Sequence, residues 1–250
     1  MISTVIILAG GLATRLLPMT SDLPKSMIDV DGEPFIIKQL KLLHDQGVSE
    51  VVICTGHLGH LIQQQVGSIF QNITIRYSFD GPVALGTGGA VTKVFRDTPA
   101  LSSAFVLYGD SYLPVDFKSV AAAFQSCNKP ALMTVFKNAD QWEKSNVLFE
   151  NNLIKVYDKR KPMPEMRHLD YGLLLLTRDI LDHAEGALIF DLAEYLHRRS
   201  LDGQLAGFEV SARPYEIGSF DGLSQTRAFF SQCRSQIAST VGNSQTVGDF

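Results

Sequence analysis

The feature that most constrains this chain is the passage of residues 5–9, an unbroken apolar run rich in β-branched side chains, into the paired glycines Gly10 and Gly11. Such a run reads as a buried strand, and glycines at its carboxyl end remove side chains where a ligand can approach the backbone. The polar loop beyond carries Thr14, Arg15 and Lys25. One hydroxyl, one forked guanidinium and one point-charge ammonium, together with backbone amides, form an inventory suited to a polyphosphate.

Downstream, strand and helix patterns alternate. A turn at Asp31-Gly32-Glu33-Pro34 leads into a helix over residues 35–46, marked by Ile36, Ile37, Leu40, Leu42 and Leu43 and ended by Gly47. Strands are expected over 50–54, 73–77, 105–108 and 131–136, with helices near 58–66 and 115–126 between them. The alternation predicts an α/β domain built on a Rossmann-like mixed, mainly parallel sheet flanked by helices. We read residues 1–250 as one domain, with a nucleotide-binding half to about residue 140. From 141 to 238 the pattern becomes β-rich: a hairpin over 144–159 turning at Asn151-Asn152, an apolar strand preceded by residues 169–173, and strands at 206–210 and 215–218. A last helix then begins at Asp221, read as its N-cap, and residues 239–250 read as a frayed tail.

Composition narrows the classes of function. With 22 Lys and Arg against 26 Asp and Glu, the formal charge of −4 argues against a broad basic face for nucleic acid. No apolar run approaches the roughly 20 residues of a membrane span, and the N-terminus lacks a signal-peptide pattern, so a cytoplasmic protein is expected. Cys54, Cys127 and Cys233 are far apart with no C-x-x-C spacing and read as inert thiols; His57 and His60 lack a third ligand and read as polar cap or surface residues. A nucleophile elbow, a complete Walker loop and an H-E-x-x-H site are all missing from the sequence.

The segment through Leu8, Ala9, Gly10, Gly11, Thr14, Arg15, Leu16, Pro18, Thr20, Pro24 and Lys25 resembles the signature of the sugar-1-phosphate nucleotidylyltransferases, L-A-G-G-x-x-T-R-L-x-P-x-T followed by P-K. Five later segments extend the resemblance. Leu85 to Gly89 is similar to the family's L-G-T-(G/A)-G segment, which implies nucleotide contacts at Gly86, Thr87 and Gly88. Gly109-Asp110 resembles the G-D motif whose Asp binds Mg²⁺; alone it would equally suit a turn or helix cap. Lys159 stands where the E-K-P lysine binds the sugar phosphate, although Asp158 replaces the usual Glu and Pro162 is displaced. Asp170 and Gly172 match N-x-G in the acceptor pocket, with Asp for the common Asn, and Glu216 falls where a second metal-binding Asp is usual.

The resemblance implies attack of a sugar 1-phosphate oxygen on the α-phosphorus of an NTP, with release of pyrophosphate. The nucleophile is already an anion, so no general base is required and catalysis rests on positioning and charge. Arg15 is expected to clamp the leaving phosphates, Lys25 to neutralise the α-phosphate, Lys159 to hold the acceptor phosphate, and Asp110 and Glu216 to carry Mg²⁺. The short length looks most like heptose 1-phosphate guanylyltransferases. Uridylyl or cytidylyl transfer, a phosphocholine-like acceptor caged by Trp142, Tyr171 and Tyr215, and a non-catalytic nucleotide-sugar sensor are the alternatives. Whether the chain forms a homo-oligomer is left open.

Overall fold

A computed structural model describes residues 2–11, 14–138, 140–141, 143–182 and 188–244; of Thr14, Asp182 and residues 237–244 only the backbone is described. In chain order the elements are β1 (Thr4–Leu8), β2 (Asp29–Val30), β3 (Glu33–Pro34), α1 (Phe35–Asp45), β4 (Glu50–Thr55), α2 (Gly59–Val66), β5 (Ile69–Phe70) and β6 (Ile73–Phe79). There follow α3 (Gly86–Asp97), β7 (Ser103–Tyr108), β8 (Ser111–Tyr112), α4 (Phe117–Cys127), β9 (Ala131–Lys137), β10 (Val147–Glu150), β11 (Leu153–Tyr157) and β12 (His168–Thr177). The chain closes with α5 (Arg178–Asp182), α6 (Leu192–Leu201), β13 (Leu205–Val210), β14 (Tyr215–Glu216) and α7 (Phe220–Ser244).

One ten-stranded sheet runs β10-β11-β13-β9-β12-β7-β1-β4-β6-β5. β6, β4, β1 and β7 are mutually parallel, and β12 joins antiparallel to β7 and β9. β10 to β13 are therefore continuous in one sheet with the strands of the first 140 residues, while β14 pairs with β8 in a separate two-stranded sheet. The expected hairpin forms as β10 and β11, turned by Asn151 and Asn152, both at positive φ.

The central strands are apolar on both faces because both are covered. Val5 and Ile7 pack with Phe105 and Leu107 against α1, α2 and α4, while Ile6 and Val106 pack against α3 and α6. A third, smaller cluster joins Leu16, Ile28, Val30 and Phe35 to Ile217 and Leu223. It ties the loop after β1 to the start of α7, almost the full length of the sequence away. No helix among the described residues is long and apolar enough to cross a membrane.

Three local expectations are corrected. Residues 169–173 lie within β12 and not before it, at a register shift against β9 between Asp170 and Leu174. Asp221 is not the cap of α7: the Ser219 hydroxyl accepts from Gly222 N at 3.0 Å, and Asp221 lies in the first turn, accepting from Gln225 at 2.7 Å. The helix also continues to Ser244, past the expected end at 239, and residues 245–250 lie outside the described residues.

Candidate active site

β1, β4, β6 and β7 share one direction, so their carboxyl ends meet at one edge of the sheet, where chain order reverses across β1. That is the crevice in which open α/β sheets bind ligands. A cavity of 330 Å³ opens there, lined by Leu8, Ala9, Gly10, Gly11, Lys25, Asp80, Gly86 and Thr87. A second, of 650 Å³, is lined by Arg15, Lys159, Asp170, Gly172, Arg213, Tyr215 and Glu216. Tyr108 and Asp110, at the end of β7, border both. A Cβ built on Gly11 would meet nothing within 4 Å among the described residues, so no described side chain packs on this backbone.

Asp110 and Glu216 come together through backbone pairing. β14 pairs with β8 so that Glu216 faces Ser111 and Tyr215 faces Tyr112, and Ile217 N donates to Asp110 O at 2.9 Å. Fully buried Gln39 braces the same turn, donating to the carbonyls of Tyr108 at 2.9 Å and Ser111 at 2.7 Å. Lys25 Nζ lies 2.7 Å from Asp110 Oδ2. Glu216 turns toward the start of α7, where its carboxylate accepts from Gly218 N and, at 2.6 Å, from the Ser219 hydroxyl.

Gly218 marks the convergence. A Cβ there would stand 2.8 Å from Glu216 Oε2, 3.2 Å from Asp110 Oδ2 and 3.3 Å from Arg15 Nη2. Two carboxylates and a guanidinium thus surround a position where any side chain would have to push them aside. Among the described residues no cluster of three or more His, Cys, Asp or Glu could hold a metal. The oxygen donor set of Asp110 and Glu216 suits a hard cation that completes its shell with phosphate oxygens and water.

In the larger cavity, Lys159 Nζ is 2.9 Å from Asp170 Oδ2, and the Tyr157 hydroxyl donates to the same oxygen at 2.9 Å. Burial alone would lower the pKa of Lys159. The Asp170 carboxylate, with smaller help from Tyr108 and Asp191, reverses this and holds it above the ordinary lysine range.

In the glycine-rich segment, Gly86 and Thr87 line the smaller cavity, but Thr87 Oγ1 also accepts from Leu192 N at 2.8 Å and so fastens α6. Gly88, expected with the nucleotide, serves packing: a Cβ there would lie 2.1 Å from the Phe190 ring. The Thr14 side chain and Trp142 lie outside the described residues. Tyr171 is 2% exposed and Tyr215 stacks on Phe229 with ring centroids 4.0 Å apart, so no cage of these tyrosines is formed for a quaternary ammonium.

Cys54 also borders the smaller cavity, yet burial, reinforced by Asp80, pushes its thiol up to about 12. The neutral thiol is a poor nucleophile. Iodoacetamide at pH 8 is therefore expected to alkylate Cys127 and Cys233 while sparing Cys54; peptide mapping that found Cys54 labelled as fast as the others would contradict this.

The sequence profile described as nucleotidyl transferase matches residues 4–146, more than half of the chain. The chain belongs to the nucleotidyl transferase family. This transferase is 28% identical over 214 residues to the D-glycero-alpha-D-manno-heptose 1-phosphate guanylyltransferase of Aneurinibacillus thermoaerophilus, covering 85% of this chain and 92% of that one. With the enzyme of the same name from Campylobacter jejuni it shares 27% identity, over 76% and 83% of the two chains. Its fold is similar to that of HddC from Yersinia pseudotuberculosis, solved with GMP-PN, with a TM-score of 0.74 at 22% identity over 92% of this chain and 100% of that one. The inositol-1-phosphate CTP transferase of T. maritima gives the same TM-score and identity, over 92% and 95%.

Asp80 ends the Tyr-Ser-acid stretch that runs into Leu85–Gly89 and received no role of its own from sequence, although it stands beyond the carboxyl end of β6 as Asp110 does beyond that of β7. Its Oδ2 accepts from Leu85 N at 3.3 Å. Burial raises its pKa, and the Leu85 amide and Lys93 partly offset the rise.

Proposed function

We propose that this transferase moves GMP from GTP onto D-glycero-D-manno-heptose 1-phosphate and releases pyrophosphate. The observation that carries the reaction is the pair of cavities meeting at Asp110, one lined by Lys25 and the other by Arg15 and Lys159. The acceptor phosphate oxygen forms the new bond to the α-phosphorus as the bond to the β-phosphate oxygen breaks. Arg15 and Lys25 meet the negative charge that moves onto pyrophosphate, and Lys159 brings the acceptor phosphate against another anion. Asp110 and Glu216 would hold Mg²⁺, which supplies further positive charge to the triphosphate.

Asp80 supports guanine. In the Watson–Crick edge of that base, N1–H and the N2 amino group are adjacent donors, matching the two acceptor oxygens of a carboxylate. Guanine O6 accepts, but no two adjacent donors occur on the edges of adenine, cytosine or uracil. The two guanylyltransferase relatives point the same way.

Pyrophosphate release should be scored for four NTPs against hexose and heptose 1-phosphates. The parent is expected to favour GTP, and to use ITP, which lacks the N2 amino group, about 10- to 100-fold less well. Asp80→Asn should lose most GTP turnover and gain use of XTP, whose O2 accepts from the new amide. Equal use of GTP and ITP would remove the guanine assignment, and nucleotide binding without pyrophosphate release would favour a sensor.

A further inference from the structure

Asp170 departs from the common Asn of its motif, and its surroundings give it a task other than reading the sugar. Its side chain is 2% exposed. Oδ2 accepts from Lys159 Nζ and the Tyr157 hydroxyl, each at 2.9 Å, while Oδ1 accepts from Gly172 N at 3.0 Å. Asp170 N donates to Asn146 Oδ1 at 3.0 Å, which anchors the backbone on the far side of the network. Both carboxylate oxygens are therefore occupied by protein donors. Lys159, whose side chain is 44% exposed, lies 5.4 Å from the centroid of the Tyr108 ring and 5.7 Å from that of Tyr157.

We propose that Asp170 is a positioning residue: from beneath the acceptor cavity its carboxylate holds Lys159 over Tyr108, where the two cavities meet, and makes no contact with the acceptor. The proposal rests on the reading that Lys159 meets the acceptor phosphate. A flexible four-carbon stem bearing a point charge is a poor clamp unless its charged end is fixed, and a buried counter-ion held by two further donors, Tyr157 and Gly172, fixes it. The groups facing Lys159 are Asp170 from β12, Tyr157 from β11, Tyr108 from β7 and Asp191 from the residue before α6. Asp170 is the nearest anion, so an amide in its place leaves burial to lower the pKa of the ammonium.

A double-mutant cycle in the full chain, assayed with GTP and D-glycero-D-manno-heptose 1-phosphate, separates this role from direct sugar contact. Asp170→Asn is expected to raise the acceptor KM about 30-fold at pH 7.5 and leave the GTP KM within about 2-fold. The defect should deepen toward pH 9.5, because the lysine then sheds its proton at a lower pH than in the parent. In a Lys159→Met background the same Asp170→Asn change should cost less than about 3-fold. Full additivity of the two changes would overturn the proposal, as would an acceptor defect that does not vary with pH. If Lys159→Met alone leaves the acceptor KM unchanged, the reading of Lys159 fails, a result that needs no Asp170 variant. Should Asp170→Asn not fold, Tyr157→Phe removes one donor from the carboxylate and is expected to raise acceptor KM about 3- to 10-fold in the parent and not in Lys159→Met.

Discussion

Asp110→Asn is expected to lower turnover about 100- to 1,000-fold while leaving the melting temperature within a few degrees of the parent. The side chain is of nearly the same size, so the change removes charge and one acceptor without opening a cavity. Asp110 stands where the two cavities meet and is 2.7 Å from Lys25. Without the carboxylate, Lys25 loses the charge that sets its place, and the proposed cation loses one of its two protein ligands. Both losses act where charge redistributes during transfer, so kcat should fall more than substrate KM rises. The amide keeps one oxygen to accept from Lys25 and opens no cavity, so the melting temperature should move little. A variant that turned over within a few fold of the parent under saturating magnesium would show that Asp110 is not at the reacting centre.

Gly218→Ala tests the same centre without touching any charged residue, and is expected to cost about 100-fold in turnover. The new methyl group would stand 2.8 Å from Glu216 Oε2 and close to Asp110 and Arg15. The clash is with the ends of movable side chains and not with backbone, so the fold can accommodate it by displacing the carboxylates and the guanidinium. Displacement on that scale is small in stability and large in catalysis, since groups that stabilise a transition state must already stand in place. Thermal unfolding should shift little while kcat collapses. Unchanged kcat would mean that the convergence around Gly218 has no part in the reaction. Unfolding of the variant would mark Gly218 as a packing position, as Gly88 is against Phe190.

Both predictions depend on a feature that local patterning carries weakly. β8 is two residues long, too short for periodicity to report, and β14 keeps only the first half of the strand read over 215–218; which strand pairs with which was not in the pattern, yet that pairing sets Glu216 beside Asp110. Their placement depends on the small cluster in which Leu16 and Phe35 from the start of the chain pack with Ile217 and Leu223. Removing apolar volume there would loosen the loop that bears Arg15 and the ribbon that bears Glu216 together.

The chemistry of this protein was legible where it is local. An apolar strand emptying into Gly10 and Gly11, with Arg15 and Lys25 beyond, reads as a phosphate site because backbone access and cationic charge are properties of a few adjacent residues, and these four residues line the two cavities that meet at Asp110. The alternation of strand and helix was legible for a related reason: side-chain period and glycine punctuation are short-range, and they placed β1, β4, β6, β7 and β9 with the helices between them, while the two-residue strands β2, β3, β5 and β8 were not read. Long-range choices were not readable in that way. Asp170 carried a hydrogen-bonding carboxylate in the sequence, but only packing decided that Lys159, Tyr157 and Gly172 would use it. Gly88 announced bare backbone, and the partner proved to be Phe190 from about a hundred residues away. Residue type states what a group can donate, accept or charge; which partner receives it depends on the tertiary fold, because several partners satisfy the same chemistry and only their relative placement selects one.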